Sequence, residues 1–285
     1  GIDFGGEIPN PISRIANVET NEAMYPIRYL FRRRLRDSGG AGEFRGGAGG
    51  EYAMTPHDSP TGEVGFVVSG KSVDFPMSHG LSGGYPGAAA RYIICRGAQD
   101  DGNVAGQTSI GLKEISGTRE ASSFGVYHVG KNDIFYVNWT GGGGVRDPLE
   151  RDPSAVCRDV AEGVVSTESA RNLYGVAILP DGSSDLERTQ SLRHAMRAQR
   201  TEAAEPLPMG GHNRHTCARC AAGHRPGRFA VRQRRLSAID ASYTTGSGAM
   251  LAELLCLQCG TLLDSEVTQA GVEPMFDAAQ LEDGK

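Results

Sequence analysis

Four of the six cysteines stand in two Cys-x-x-Cys pairs, Cys217-Ala-Arg-Cys220 and Cys256-Leu-Gln-Cys259, with 35 residues between them. A Cys-x-x-Cys turn brings two thiolates to one metal, and two such turns complete a tetrahedron of sulfur ligands around Zn²⁺. Four sulfurs leave no open coordination position. The expected centre is therefore structural, with Cys217, Cys220, Cys256 and Cys259 as ligands. Gly260 suits the positive-φ position that commonly follows such a knuckle. His212, His215 and His224 could each replace a sulfur, but a complete set of four leaves them no place. A disulfide or redox pair is the competing reading. No basic start with an apolar run marks an export signal, so metal is preferred and a reducing, cytoplasmic compartment is expected. Cys95 and Cys157 are solitary, in apolar settings.

Residues 211–235 hold seven arginines (214, 219, 225, 228, 232, 234 and 235) and no acid. A nucleic-acid contact is one reading. Few aromatics interleave as stacking platforms, so charge compensation beside a thiolate centre is preferred. Three motif matches fail on context. Gly65–Ser72 satisfies GxxxxGK[ST], but its variable positions read as strand and Val73–Pro76 cannot open a helix. Gly80-Leu-Ser82-Gly-Gly84 satisfies GxSxG, beside His79, yet Tyr85-Pro86-Gly87 continues extended where a nucleophile elbow needs a helix. The glycines 141–144 lack the helix and acid of a dinucleotide fingerprint, and Asn138-Trp-Thr140 is a sequon that matters only outside the cytoplasm.

The elements that must position these groups follow from composition. The chain has 285 residues, a net charge of −5 and 40 glycines, about twice ordinary glycine usage. That balance argues against bulk affinity for nucleic acid or an anionic membrane. No apolar run is long enough for a transmembrane helix. Residues 1–150 alternate strand-like runs (27–31, 63–69, 92–95, 124–129 and 134–139) with glycine clusters. Seven of the thirteen residues from Ser38 to Gly50 are glycine. Extended segments packed backbone against backbone, as in polyproline II bundles, would require this. A helix is expected from Pro153, capped by Asp152 and ended by Gly163, then a second one with Ser166 or Ser169 as cap, stopping at Gly175. Asp147 and Glu150 read as turn residues leading into it. Residues 184–203 form a charged helical connector and 205–211 a linker. Strands at 229–231 and 250–255 lie between the cysteine pairs. An acidic tail, its acids starting at Asp264, is expected to be mobile.

Two long stretches, residues 10–57 with DSGGAGEFRGG and residues 140–176 with GGGGVRDPLERDP, resemble the C-terminal region of the hydantoinase B family. HGLSGGYPG at 79–87 also fits. The likeness covers about residues 1–180. It implies a glycine-rich β fold running into polyproline II-like segments, and a non-ATP-binding subunit that works with a hydantoinase A-type subunit. That partner would carry the ATP site and use a divalent metal. Such complexes phosphorylate a lactam or carbonyl oxygen before ring hydrolysis or carboxylation. Glu22–Pro26 and the GGYPG segment look closer to the ketone carboxylases, which also employ a small zinc-containing subunit. Three departures stand out. Arg146 replaces a usual glycine, Lys131-Asn-Asp133 replaces a Gly-Asp turn, and the family's N-terminal half has no match. The chain, which starts at Gly1, is on this reading the C-terminal part of a split subunit, completed by a chain supplying the N-terminal half. Arg45, Glu51, His57 and His79, in or beside the glycine signatures, are the candidate catalytic residues.

The expected architecture is mainly β with glycine-rich polyproline II-like segments, a short helical hairpin and a small zinc ribbon. Its parts are a hydantoinase B-like β domain (1–180), a helical connector and linker (181–210), a zinc-ribbon-like module (211–268) and the acidic tail (269–285). The expected function is a subunit, inactive alone, of an ATP-dependent ketone carboxylase or cyclic-amide hydrolase complex. A structural zinc module would dock the subunits. The alternatives are a zinc-dependent module that binds nucleic acid or protein, and a hydrolase that uses Ser82.

Overall fold

The computed structural model of the chain describes residues 1–3, 16–69, 72–73, 75–98, 111–206, 216–221, 229–236, 239, 248–274 and 276. Short helix α1 (Val18–Met24) leads into a five-stranded antiparallel sheet. Its strands are β1 (Ile27–Arg34), β2 (Gly50–Pro56), β7 (Ile134–Asn138), β4 (Arg91–Arg96) and β5 (Thr118–Ser122), in that spatial order. Strands β3 (Glu63–Val68) and β6 (Gly125–Gly130) pair with each other and cover one face. Side chains alternate across a strand, and central β7 is buried on both sides. Phe135 and Val137 meet Val68, Ile94 and Val129 beneath the β3–β6 pair. Ile134 and Tyr136 meet Leu30, Ala53 and Cys95 on the opposite face. The five strands expected from composition are all present. Strands β2 and β5 and helix α1 were not anticipated.

Three glycine-rich segments, 38–49, 79–88 and 140–146, run beside one another largely outside any ladder. Main-chain bonds join them: Gly40 N–H donates to the Gly142 carbonyl at 2.8 Å, Tyr85 to Ala41 at 2.7 Å, and Gly144 to Tyr85 at 2.9 Å. Backbones this close leave no room for a Cβ. One placed on Gly143 would run into the His79 carbonyl. This is the packing the glycine count predicts.

The chain then turns at Pro148–Glu150 into helices α2 (Pro153–Ala161) and α3 (Thr167–Asn172). Asp152 caps α2 by accepting from the Ser154 and Ala155 amides, and Ser166 caps α3 through the Ser169 amide. Helix α4 (Leu186–Glu202) begins at the Asp185 cap. A second sheet follows, ordered β11 (Leu262–Gln269), β10 (Ala249–Cys256), β9 (Phe229–Arg235) and β8 (Glu205–Pro206). Two expectations are corrected here. Glu205 and Pro206 are not linker but pair with Val231 and Ala230. Asp264 and Glu266 are not tail but strand, opposite Leu254 and Ala252. Of the tail 269–285 expected to be mobile, Gln269 ends β11, and residues 275 and 277–285 lie outside the described residues.

One cluster joins the halves. Ala41 and Tyr85 of the glycine segments, Val156, Ala170 and Tyr174 around the helices, and Leu251, Leu255 and Leu262 of the second sheet pack together. Among the described residues no helix is long and apolar enough to cross a membrane.

Gly143→Ala should lower the stability measured by urea denaturation by about 3 kcal/mol, the upper end for overpacking. Gly65→Ala is the control. Its Cβ would meet nothing within 4 Å, and in a strand it should be neutral or gain about 0.5 kcal/mol.

Candidate metal centre

The second sheet and the turns flanking it bring both Cys-x-x-Cys pairs together. The four Sγ atoms all lie within 4.8 Å of one another. Cys217 and Cys259 sulfurs are 3.6 Å apart, and those of Cys220 and Cys256 are 3.7 Å apart. A tetrahedron with metal–sulfur bonds of about 2.3 Å has edges close to these values. The donor set therefore fits a metal that prefers four thiolates.

Each pair forms the same knuckle. Ala221 N–H donates to the Cys217 carbonyl and Gly260 N–H to the Cys256 carbonyl, both at 2.8 Å. The residue after each pair has positive φ, +54° at Ala221 and +68° at Gly260. The expectation for Gly260 holds, and its first-knuckle equivalent is an alanine. Burial pushes the Cys217 and Cys256 thiols up. Burial acts the same way on Cys259, but hydrogen bonds led by the Thr261 hydroxyl, 3.1 Å away, outweigh it and hold that thiol below its usual range. Phe229, Leu254 and Leu263 close the centre in an apolar setting. His212, His215 and His224, read as possible substitute ligands, lie outside the described residues.

Two buried charge networks tie this centre to the glycine scaffold, and the sequence reading found neither. Asp147 follows the GGGG segment and is 2% exposed. It takes both Nη atoms of Arg200 from α4, at 2.8 and 3.1 Å, and the Leu149 and Leu262 amides, at 2.9 and 3.0 Å. Arg200 also reaches the Gly260 carbonyl. Burial alone would raise the Asp147 pKa; the facing Arg200 guanidinium and the amides reverse that and hold it below the ordinary carboxylate value. Asp147 is the turn residue the sequence predicts, bonded to the Leu149 amide, and it is also the hub of this seam. The second network surrounds Glu253, fully buried in β10. It accepts from Tyr85 Oη at 2.9 Å, from Arg232 Nε at 2.7 Å and from Arg234 Nη2 at 2.9 Å. Arg232 stands directly opposite Glu253 in the ladder. A lone acid in the apolar run AMLAELLC, with arginines at alternate positions of the neighbouring strand, was the available signal.

The arginine-rich stretch is thus partly accounted for. Arg232 and Arg234 serve Glu253, and Arg219 pairs with Glu150 at 2.6 Å. Arg214, Arg225 and Arg228 lie outside the described residues. The proposed catalytic side chains occupy separate places. Arg45 contacts Asp159, Asp3 and the Gly46 carbonyl. Glu51 is buried, accepting from Arg33 Nε at 2.7 Å and Tyr136 Oη at 2.6 Å. His57 is exposed beside Asp58, and the His79 side chain is exposed. Among the described residues, no hydrogen bond or ion pair joins these four to one another. Ser82 and Arg146, both at positive φ, line a cavity of about 440 Å³ between the glycine loops and the first knuckle. Residues 65–68 of the P-loop match lie in β3, while Gly70 and Lys71 are outside the described residues.

Comparison with known proteins extends this geometry. The family described as Hydantoinase B/oxoprolinase matches residues 1–148. The acetone carboxylase alpha subunit of Xanthobacter autotrophicus is 26% identical over 229 residues, 73% of this chain and 29% of that protein. The caprolactamase subunit beta of Pseudomonas jessenii is 30% identical, over 64% of this chain and 28% of its own length. The acetophenone carboxylase delta subunit of Aromatoleum aromaticum is 28% identical, over 68% of this chain and 30% of its own. The nucleotide-free structure of acetone carboxylase superposes with a TM-score of 0.58 and 25% identity, covering 72% of this chain and 29% of that one. The chain therefore spans about three tenths of the length of these relatives.

Ala221→Gly should stabilise the chain in urea by about 0.5–1 kcal/mol by relieving a left-handed alanine. Gly260→Ala should do the reverse by a larger amount, because the added carbon would strike the Arg197 carbonyl. Asp147→Asn should cost about 3–5 kcal/mol, since it strands a buried guanidinium. The sign with pH follows from the depressed folded pKa of Asp147. Its contribution is whole above the unfolded value near 3.8 and is lost as pH falls through the lower folded value. In acid-unfolding curves, the difference between wild type and Asp147→Asn should therefore shrink only below about pH 4.

Proposed function

Because the chain belongs to the hydantoinase B/oxoprolinase family, we propose that it works in a non-ATP-binding hydantoinase B-type subunit of an ATP-dependent carboxylase or cyclic-amide hydrolase. The observation that carries this reading is the coincidence of the family match with the glycine-packed scaffold. The GGGG segment and DSGGAGEFRGG are the segments whose backbones interlock, so the residues that carry the likeness are those that build the fold. The named relatives are subunits of an acetone carboxylase, an acetophenone carboxylase and a caprolactamase. Activation of a carbonyl or lactam oxygen by ATP fits all three. A hydantoinase A-type partner would supply the nucleotide site and a divalent metal, and the rest of the hydantoinase B-type fold would come from outside the residues present here. Arg45, Glu51, His57 and His79 stay candidates for facing the shared cavity once the assembly is complete.

The cysteine centre is proposed to hold one structural Zn²⁺. Four thiolates of this spacing suit it, and apparent zinc binding in comparable small sites is worth roughly 10–16 kcal/mol. The metal would fix the two knuckles, which rest on α4 and on the glycine scaffold, and so present a rigid face for docking subunits.

Two measurements test this reading. Elemental analysis of the purified chain should find about one zinc per chain. Cys256→Ser should lose it, with the second sheet becoming protease-sensitive while the five-stranded sheet stays protected. The chain alone should hydrolyse no ATP and should co-purify with a hydantoinase A-type subunit expressed beside it. Nucleotide turnover by the isolated chain, or failure to assemble with any such subunit, would contradict the proposal.

A further inference from the structure

On the far side of the second knuckle lies a cleft of about 620 Å³, within the range of small-molecule sites. One wall is a single face of α4, with Arg193, His194, Arg197 and Thr201 at helical spacing. Glu150 and Arg219 form the other wall, and Leu149 and Leu257 give it an apolar floor. Three guanidinium groups and an imidazole thus face one carboxylate.

The arginines are held in place by main-chain oxygens. Arg193 donates to the Tyr174 carbonyl at 3.0 Å and the Arg151 carbonyl at 2.6 Å. Arg197 Nη2 donates to the Leu149 carbonyl at 3.2 Å and to Glu150 Oε1 at 2.9 Å. Arg219 Nη1 reaches the same Glu150 oxygen at 2.6 Å. One carboxylate oxygen is therefore shared by two guanidiniums, which shows the chemistry the cleft accepts. A donor is left over, since Arg197 Nε is buried with no hydrogen-bond partner within the chain. Buried N–H groups are paired in the great majority of cases. Burial, and next the charge of Arg197, push the Arg193 pKa down.

We infer that this cleft binds a small molecule bearing a phosphate or carboxylate group, the oxyanion held by Arg197 and Arg219 and flanked by His194. Planar guanidinium forks suit both oxyanions. The apolar floor would take the body of the ligand. The inference rests on this chain's residues and holds whichever reaction the assembly performs.

The test uses the full metal-loaded chain at fixed ionic strength, titrated with inorganic phosphate and, separately, with acetate. Binding is followed through the ¹⁵N–¹H signal of Arg197 Nε. At least one of the two anions should saturate in the millimolar range. Tighter phosphate binding points to a phosphorylated ligand, and tighter acetate binding to a carboxylate. Arg197→Gln, followed by ³¹P line width or calorimetry, should weaken binding about tenfold, the loss of one charge-assisted pair. Because Arg197 also braces Leu149, His194→Gln is the second variant. His194 is exposed, and its replacement should leave thermal stability unchanged while weakening binding about threefold. Arg158→Gln, on α2 away from the cleft, should change nothing. Shifts that never saturate with either anion, or binding equal in wild type and both cleft variants, would overturn the inference.

Discussion

Asp147 and Arg200 meet where neither reaches water, their side chains 2% and 4% exposed. Taking two such charges out of solvent is costly, and their attraction recovers that cost only when every remaining lone pair and proton is also satisfied. Here the accounting is complete for the carboxylate, with two guanidinium nitrogens and the Leu149 and Leu262 amides. The four donors come from three parts of the chain: α4, the turn after the glycine segment, and the first residue of β11. A buried pair of this kind adds little net stability over an apolar substitute, yet it heavily penalises any arrangement that leaves one partner alone. Its effect is to select one seam among the many that apolar packing would tolerate.

The Glu253 network applies the same constraint at a second point along the seam. Tyr85 belongs to the glycine segment, and its hydroxyl lies between Glu253 and Arg234. Apolar contact between Tyr85 and Leu251, Leu255 and Leu262 supplies the attraction, while the hydroxyl fixes the register. Glycine makes both contacts possible. Segments without Cβ atoms lie near enough for their carbonyls and amides to pair directly, so a side chain rising from them, such as Tyr85, is held on a stiff base.

Much of this could be read from residue order because its causes are local. Asp152 before Pro153 and a serine ahead of a short helical run are capping chemistry; the structure places Asp152 as read and selects Ser166 over Ser169. The cysteine spacing carries its own geometry, and the glycine excess had one economical explanation. What escaped depended on distant partners. Strand β5 is polar and largely exposed, with nothing in TREAS to separate it from a loop until β4 is beside it. Asp264 and Glu266 looked like solvated tail because their pairing with β10 is invisible in composition. Asp147 satisfied a local rule as a turn residue, which hid its larger role. Arg45, Glu51, His57 and His79 lie in or beside the glycine signatures in sequence, and among the described residues no hydrogen bond or ion pair joins them to one another.

The seam and the candidate metal centre share the segment Cys259–Leu262, which couples them energetically. Gly260, whose carbonyl meets Arg200, follows Cys259 directly; Leu262, whose amide meets Asp147, lies three residues beyond it. Between them Thr261 touches Cys259 through its hydroxyl, and its carbonyl takes the Cys256 amide. Any ligand that fixes the knuckle therefore also fixes two of the three main-chain groups bonded to the buried pair, the Gly260 carbonyl and the Leu262 amide. Coupling of this kind is reciprocal. To the extent that a bound metal orders the seam, the scaffold pre-orders the thiolates and raises their affinity for metal by the same factor. A cysteine module cut free of Asp147 and α4 would forgo that factor. Its metal affinity would then measure the knuckles alone, and the difference from the intact chain would measure the free energy with which the glycine scaffold holds them.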